Sequence, residues 1–217
     1  KVGDFAPQGL STLAWAFARL AWADAELLHG VVRAAAGSLA AFKPQELSNL
    51  LWGLAKMRTE DAAVFQLAAA EVRTGLGRFR PQEISNVAWA YGRMELSDPP
   101  FLRELAAEAT TQVAHFKPQE LANLCWALAD LGASDLGLLR AVADRAPVLL
   151  CTCSARDLAS LAWSFARSGV REEDFLSALG REAVPRLASA NPHDLSDLAW
   201  AFARLALGEP KVFDAIA

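Results

Sequence analysis

Six tryptophans set the frame. Trp15, Trp52, Trp89, Trp126, Trp163 and Trp200 follow one another at an unbroken interval of 37 residues, and only Trp22 falls outside the series. The chain around them reads PQGLSTLAW, PQELSNLLW, PQEISNVAW, PQELANLCW, ARDLASLAW and PHDLSDLAW. A fixed period of this size marks stacked supersecondary units, each too small to bury its apolar face alone. The pattern predicts one repeat domain over residues 1–217, in units of approximately 5–41, 42–78, 79–115, 116–152, 153–189 and 190–217, the last truncated. No alternation of apolar and polar residues marks a strand. The expected fold is therefore all-α, a right-handed α-solenoid of six helix-turn-helix repeats.

Local signals divide each unit into two helices. Pro7, Pro44, Pro81, Pro118 and Pro192 open the first helix at N1, where a missing N–H costs nothing. Phe5, Phe42, Phe79 and Phe116 stand where they can staple to Leu10, Leu47, Ile84 and Leu121 at N4. Glu46, Glu83, Glu120, Asp157 and Asp194 are at N3 and read as helix caps rather than as acid/base pairs; Ser154 and Asn191 complete capping boxes with the last two. Gly132 and Gly169 fall where a first helix should stop. An acidic residue recurs before the second helix (Asp24, Asp61, Asp98, Asp135, Glu172, Glu209) and is expected to cap it. Pro147 and Pro185 should bend or shorten the second helix of their units.

A helical wheel at about 100° per residue separates the faces of the first helix. In the second unit Leu47, Leu50, Leu51 and Leu54 form an apolar stripe toward the second helix, flanked by Ser48, Gly53 and Ala55, small enough for neighbouring first helices to stack closely. Opposite runs a polar stripe: Gln45, Asn49, Trp52, Lys56. It recurs as Gln8, Thr12, Trp15, Arg19, as Gln82, Asn86, Trp89, Arg93, and as Gln119, Asn123, Trp126, Asp130. The last two units give Arg156, Ser160, Trp163, Arg167 and His193, Asp197, Trp200, Arg204. In solenoids the first helices usually line the concave surface, so the stripe is expected along it.

Charge is distributed unevenly. The net charge is −4, yet the last stripe position is basic in every unit but the fourth, and Lys43, Arg80 and Lys117 occupy N-cap positions that normally avoid cations. Repetition of a locally unfavourable choice points to an external anion, with phosphate suited both to the cations and to free N–H groups of the helix end. Acids gather in the second helices and turns. An acidic average with one basic groove fits a polyanion ligand. Plainer readings exist for each feature: the tryptophans as packing between units, the amides as hydrogen-bond ladders between helices, the cations as solvated charge.

Other chemistries find little support. His29, His115 and His193 are scattered and form no paired metal spacing, so neither a metal nor a cofactor is expected. Cys125 reads as a small core residue, and Cys151-Thr152-Cys153 is too cramped for a disulfide scaffold. No nucleophile-elbow, phosphate-loop or dinucleotide motif occurs, so the segment is expected to be no enzyme and to take no small-molecule substrate. No apolar run suffices for membrane insertion. The chain starts without Met and stops mid-pattern, which reads as a fragment whose two ends are covered by further chain or protein neighbours.

FKPQELSNLLWGLAKM and FKPQELANLCWALADLG resemble the octotricopeptide repeat family, and equally the related heptatricopeptide repeats. The resemblance covers the whole chain and is most specific in the middle three units. It implies a soluble α-solenoid RNA-binding protein of mitochondria or chloroplasts, acting in transcript stability, processing or translation, or holding ribosomal RNA. It also implies a concave groove for single-stranded RNA. The matching positions are Gln8, Arg19, Lys43, Gln45, Asn49, Lys56, Arg80, Gln82, Asn86, Arg93, Lys117, Gln119, Asn123, Arg156, Arg167, His193 and Arg204. Arg156, His193 and Asp130 depart from the pattern of the middle units. The rival expectation is a protein–protein scaffold within a large organellar assembly such as a ribosome, which the overall acidity and Asp130 favour. A peptide-binding adaptor similar to tetratricopeptide proteins would explain the polar stripe but not its recurrent basic position.

Overall fold

A computed structural model describes residues 2–22, 24–207 and 210–216, and among them no strand occurs. Helices alternate along the chain. α1 (Pro7–Leu20) pairs with α2 (Ala25–Ala36), α3 (Pro44–Lys56) with α4 (Ala63–Gly75), and α5 (Pro81–Arg93) with α6 (Pro99–Thr111). α7 (Pro118–Asp130) pairs with α8 (Leu136–Asp144) and its short continuation α9 (Ala146–Leu149). Last come α10 (Ala155–Arg167) with α11 (Glu173–Ala183), and α12 (Pro192–Arg204) with α13 (Pro210–Ile216). No helix among the described residues is long and apolar enough to cross a membrane.

Both ends of the first helices are locally determined. The N3 carboxylate accepts from the N-cap backbone N–H at 2.9 Å for Glu46 and 2.8 Å for both Glu83 and Glu120. Asp157 and Asp194 do the same and receive the N-cap side chains of Ser154 and Asn191 in return. At the other end every first helix finishes on a left-handed residue: Ala21, Arg58, Glu95, Gly132, Gly169 and Ala206, with φ between 51° and 69°. In each case the following N–H reaches back five residues, as from Thr59 to Leu54 O at 3.1 Å and from Leu96 to Tyr91 O at 3.0 Å. This is a Schellman closure, and only two of the six use glycine.

The second helices are less uniform than their recurrent acid suggests. Asp24, Asp98 and Asp135 accept from the N–H three residues on, at 2.9, 3.1 and 2.8 Å. Asp61 accepts from Ala63 N and α4 starts a residue later than the pattern predicts, while Glu172 makes no cap bond. Glu172 meets Arg140 at 3.6 Å instead; its extra methylene takes the carboxylate away from the helix end. Glu209 lies outside the described residues. Pro147 separates α9 from α8 at Arg145, and Pro185 converts the end of α11 into 3-10 turns over Val184–Ser189.

Successive first helices pack intimately (α1 on α3, α3 on α5, α5 on α7, α7 on α10, α10 on α12), whereas successive second helices touch sparsely. Small residues permit the approach: a Cβ on Gly53 would fall 2.8 Å from the carbonyl of Ala14. One layer closely spaced and the other splayed makes a solenoid with the first helices on its inner, concave side. The apolar stripes of both layers merge into one core that includes Leu50, Leu54, Phe65, Phe101, Phe165 and Phe202. Tyr91 ties the layers together, its hydroxyl donating to Phe65 O at 2.5 Å and its ring 4.9 Å from that of Phe101.

Candidate nucleic-acid interface

Burial follows the wheel. Leu47, Leu50, Leu51 and Leu54 are inaccessible to solvent, while Gln45 and Lys56 are exposed and Asn49 and Trp52 half-buried. The same order holds in α5, with Gln82 and Arg93 exposed and Asn86 and Trp89 half-buried, and in α7, with Gln119 and Asp130 exposed and Asn123 and Trp126 half-buried. No helix-to-helix amide ladder forms: among the described residues the side chains of Gln45, Asn49, Gln82, Asn86, Gln119 and Asn123 have no hydrogen-bond partner in the protein. Three of the bonds that fix one unit against the next come from the other layer. Gln112 Nε2 donates to Phe79 O at 3.0 Å, Arg145 Nη1 to Phe116 O at 3.1 Å, and Arg186 Nη2 to Cys151 O at 3.0 Å.

The stripe does not form one straight row. It converges on two open cavities side by side. One, of about 330 Å³, is lined by Trp15 and Arg19 at the end of α1, Asn49 and Trp52 in mid α3, Gln82 and Asn86 early in α5, and Lys117, Gln119 and Asn123 at the start of α7. The other, of about 380 Å³, takes Lys56 at the end of α3, Trp89 and Arg93 late in α5, Asn123 and Trp126 in mid α7, Arg156 and Ser160 early in α10, and His193 and Asp197 at the start of α12. Each crosses the first helices obliquely, moving about one turn toward the N-terminus with every unit. Asn123 lines both.

This obliquity sorts the candidate residues. Five cations face the cavities: Arg19, Lys56, Arg93, Lys117 and Arg156. Gln8, Lys43, Gln45 and Arg80, at the beginnings of early helices, line neither cavity, nor do Arg167 and Arg204 at the ends of late ones. Arg204 is otherwise engaged: its Nε donates to Ala166 O at 3.1 Å, capping α10, and its guanidinium lies 5.5 Å from the centre of the Trp200 ring. The N-cap cations Lys43, Arg80 and Lys117 do not sit beside an unoccupied helix end. The N3 carboxylate has folded onto each N-cap N–H, so phosphate there would meet a negative charge. That removes the helix-end part of the anion argument and leaves the side-chain cations.

The tryptophans combine their two readings. Trp52 leans on Trp89 with ring centres 6.0 Å apart and planes 33° apart, and Trp163 on Trp200 at 6.1 Å and 32°. Trp126 packs over Gly92 of the preceding first helix, where a Cβ would meet its Cζ3 at 3.2 Å. One side of these indoles is thus taken by a neighbour, while Trp15, Trp52, Trp89 and Trp126 present the other to the cavities. Trp15 is the most open of the series, 45% exposed, with Arg19 over its ring at 5.6 Å.

His193 and Asp197, one turn apart, join through Nδ1 and Oδ2 at 3.0 Å. Burial holds the Asp197 carboxyl above the usual carboxylate range; Asp194 adds to the shift and His193 opposes it. The thiols lie away from the groove: Cys125 and Cys153 are buried, which pushes each up to about 12, and Cys151 is exposed. Sequence reasoning did not group these residues by cavity, because the stagger between units is written in packing rather than in spacing.

The sequence profile of the family described as RNA-editing substrate-binding complex 6 protein matches residues 71–217, more than half of the chain. The chain belongs to this family. The match makes it an RNA-associated helical repeat protein. It begins within α4 and takes in both cavities' later halves, including Arg93, Lys117, Asn123, Arg156, His193 and Asp197. No curated protein is significantly similar to the chain.

Proposed function

We propose that this RNA-editing substrate-binding complex 6 family protein binds single-stranded RNA across its concave first-helix surface. One observation carries the reading: carboxamides that find no partner inside the protein share two cavities with five cations and the open sides of four indoles. Cations supply sequence-independent hold on phosphates, amides have both donors and acceptors for base edges, and indoles stack on bases. The family's name associates it with a complex that handles the substrates of RNA editing. The proposal extends to action in mitochondrial or chloroplast RNA metabolism, with messenger or ribosomal RNA as ligand, and to kinship with octotricopeptide and heptatricopeptide repeats. It assigns no catalytic step to this segment.

The test is fluorescence anisotropy of a labelled, degenerate single-stranded RNA pool against the chain, titrated across salt. Engagement of four or five phosphates predicts a log–log slope of about −2.8 to −3.5, at roughly −0.7 per phosphate. Absence of binding at low salt would refute the proposal.

A second reading has its own observation. Phe5, Leu20 and Trp22 are exposed at the α1 end, Leu20 and Trp22 to more than 60%. Together with the family's place in a complex, this favours protein neighbours in addition to RNA. A scaffold with no RNA ligand would show partner capture alongside a flat anisotropy titration.

A further inference from the structure

The stripe position held by Thr12, Asn49, Asn86, Asn123 and Ser160 carries a carboxylate in the last unit, Asp197. Asp197 closes the larger cavity at its α12 end, with Arg156 on the wall contributed by α10. The His193 ring, largely exposed, meets Oδ2 at 3.0 Å, and Oδ1 is without a protein partner among the described residues. A carboxylate offers only lone pairs. Phosphate oxygens offer the same, and buried Asp194 lines this end of the cavity as well. The end of the groove is therefore unsuited to a phosphate and suited to N–H donors.

Among the four RNA bases, only guanine presents two adjacent N–H donors on its Watson–Crick edge, N1–H and N2–H. Its O6 then needs a donor, and Arg156 brings a guanidinium to the same cavity. Uracil places carbonyl oxygens on both sides of its single N–H, which would face the carboxylate. Adenine and cytosine each offer one amino group beside a ring-nitrogen acceptor.

We infer that Asp197, beside His193, forms with Arg156 a guanine-preferring subsite at the α12 end of the groove. The inference rests on the RNA-binding reading above and adds a base preference to it.

The experiment compares two labelled single-stranded oligonucleotides on the full chain: one all uridine, the other identical but for a single central guanosine. The guanosine oligonucleotide should bind about tenfold more tightly, the discrimination of one bidentate pair. In Asp197→Asn that gap should close, the ratio of the two affinities falling to about one while the thermal melt is unchanged. Equal binding of both oligonucleotides by the native chain, or a gap that survives Asp197→Asn, overturns the subsite and leaves the groove standing. Failure to bind either strand overturns the groove reading, and the subsite falls with it.

Discussion

Four residues hold a conformation for which their side chains are poorly suited. Ala21, Arg58, Glu95 and Ala206 are left-handed like Gly132 and Gly169, and a Cβ there costs about 1 kcal/mol or more. Glu95→Gly and Arg58→Gly should therefore each stabilise the protein by about 0.5–1 kcal/mol, the relief of strain outweighing the added freedom of the unfolded chain. Urea denaturation measures this directly. These positions were invisible in the sequence, because nothing in Arg or Glu announces a positive φ; only the two glycines did. Tyr91→Phe removes the hydroxyl that donates to Phe65 O and should cost about 1 kcal/mol. The cysteines should separate under a thiol reagent at neutral pH. Exposed Cys151 reacts in the native protein, whereas Cys125 and Cys153, buried and poorly ionised, react only on unfolding.

At the scale of the element, what was legible is what the chain decides locally. Proline at N1, the N3 carboxylates and the breaks at Pro147 and Pro185 act within a turn or two of themselves, so their residue types sufficed to place them. Glu172 shows the limit: an acid at the right position fails to cap once one methylene displaces its carboxylate. Close packing between first helices was legible as a run of small residues, but not which backbone atoms would meet. Gly53→Ala tests it. Alanine is the better helix former by about 1 kcal/mol, yet its Cβ would strike backbone of α1, and neither partner can move as a flexible side chain would. The expected outcome is net destabilisation of about 1–3 kcal/mol, read from the shift of the denaturation midpoint.

For the whole molecule, the stagger between units decides which stripe residues meet. The sequence places Arg93, Arg156 and Arg167 on equivalent faces, and nothing in their spacing says that the first two share a cavity while the third does not. The distinction can be tested with charge reversals. Lys56→Glu, Arg93→Glu and Arg156→Glu together should abolish RNA binding while helicity by circular dichroism is kept. Reversal of Arg167 alone, on the same stripe but outside both cavities, should reduce affinity less than tenfold, the residual effect of long-range charge. A loss from Arg167→Glu as large as that from Arg156→Glu alone would show that charge acts without regard to the cavities.

The slant of the two cavities has a topological consequence. A furrow that starts at the C-terminal ends of early first helices and finishes at the N-terminal ends of later ones leads from one lateral edge of the solenoid to the other. A strand lying in it would run off both sides, neither end enclosed. Such a protein clasps a polymer from the flank and needs no free terminus to thread. On the proposed function it would settle on an internal stretch of a long transcript and come away again without travelling along it.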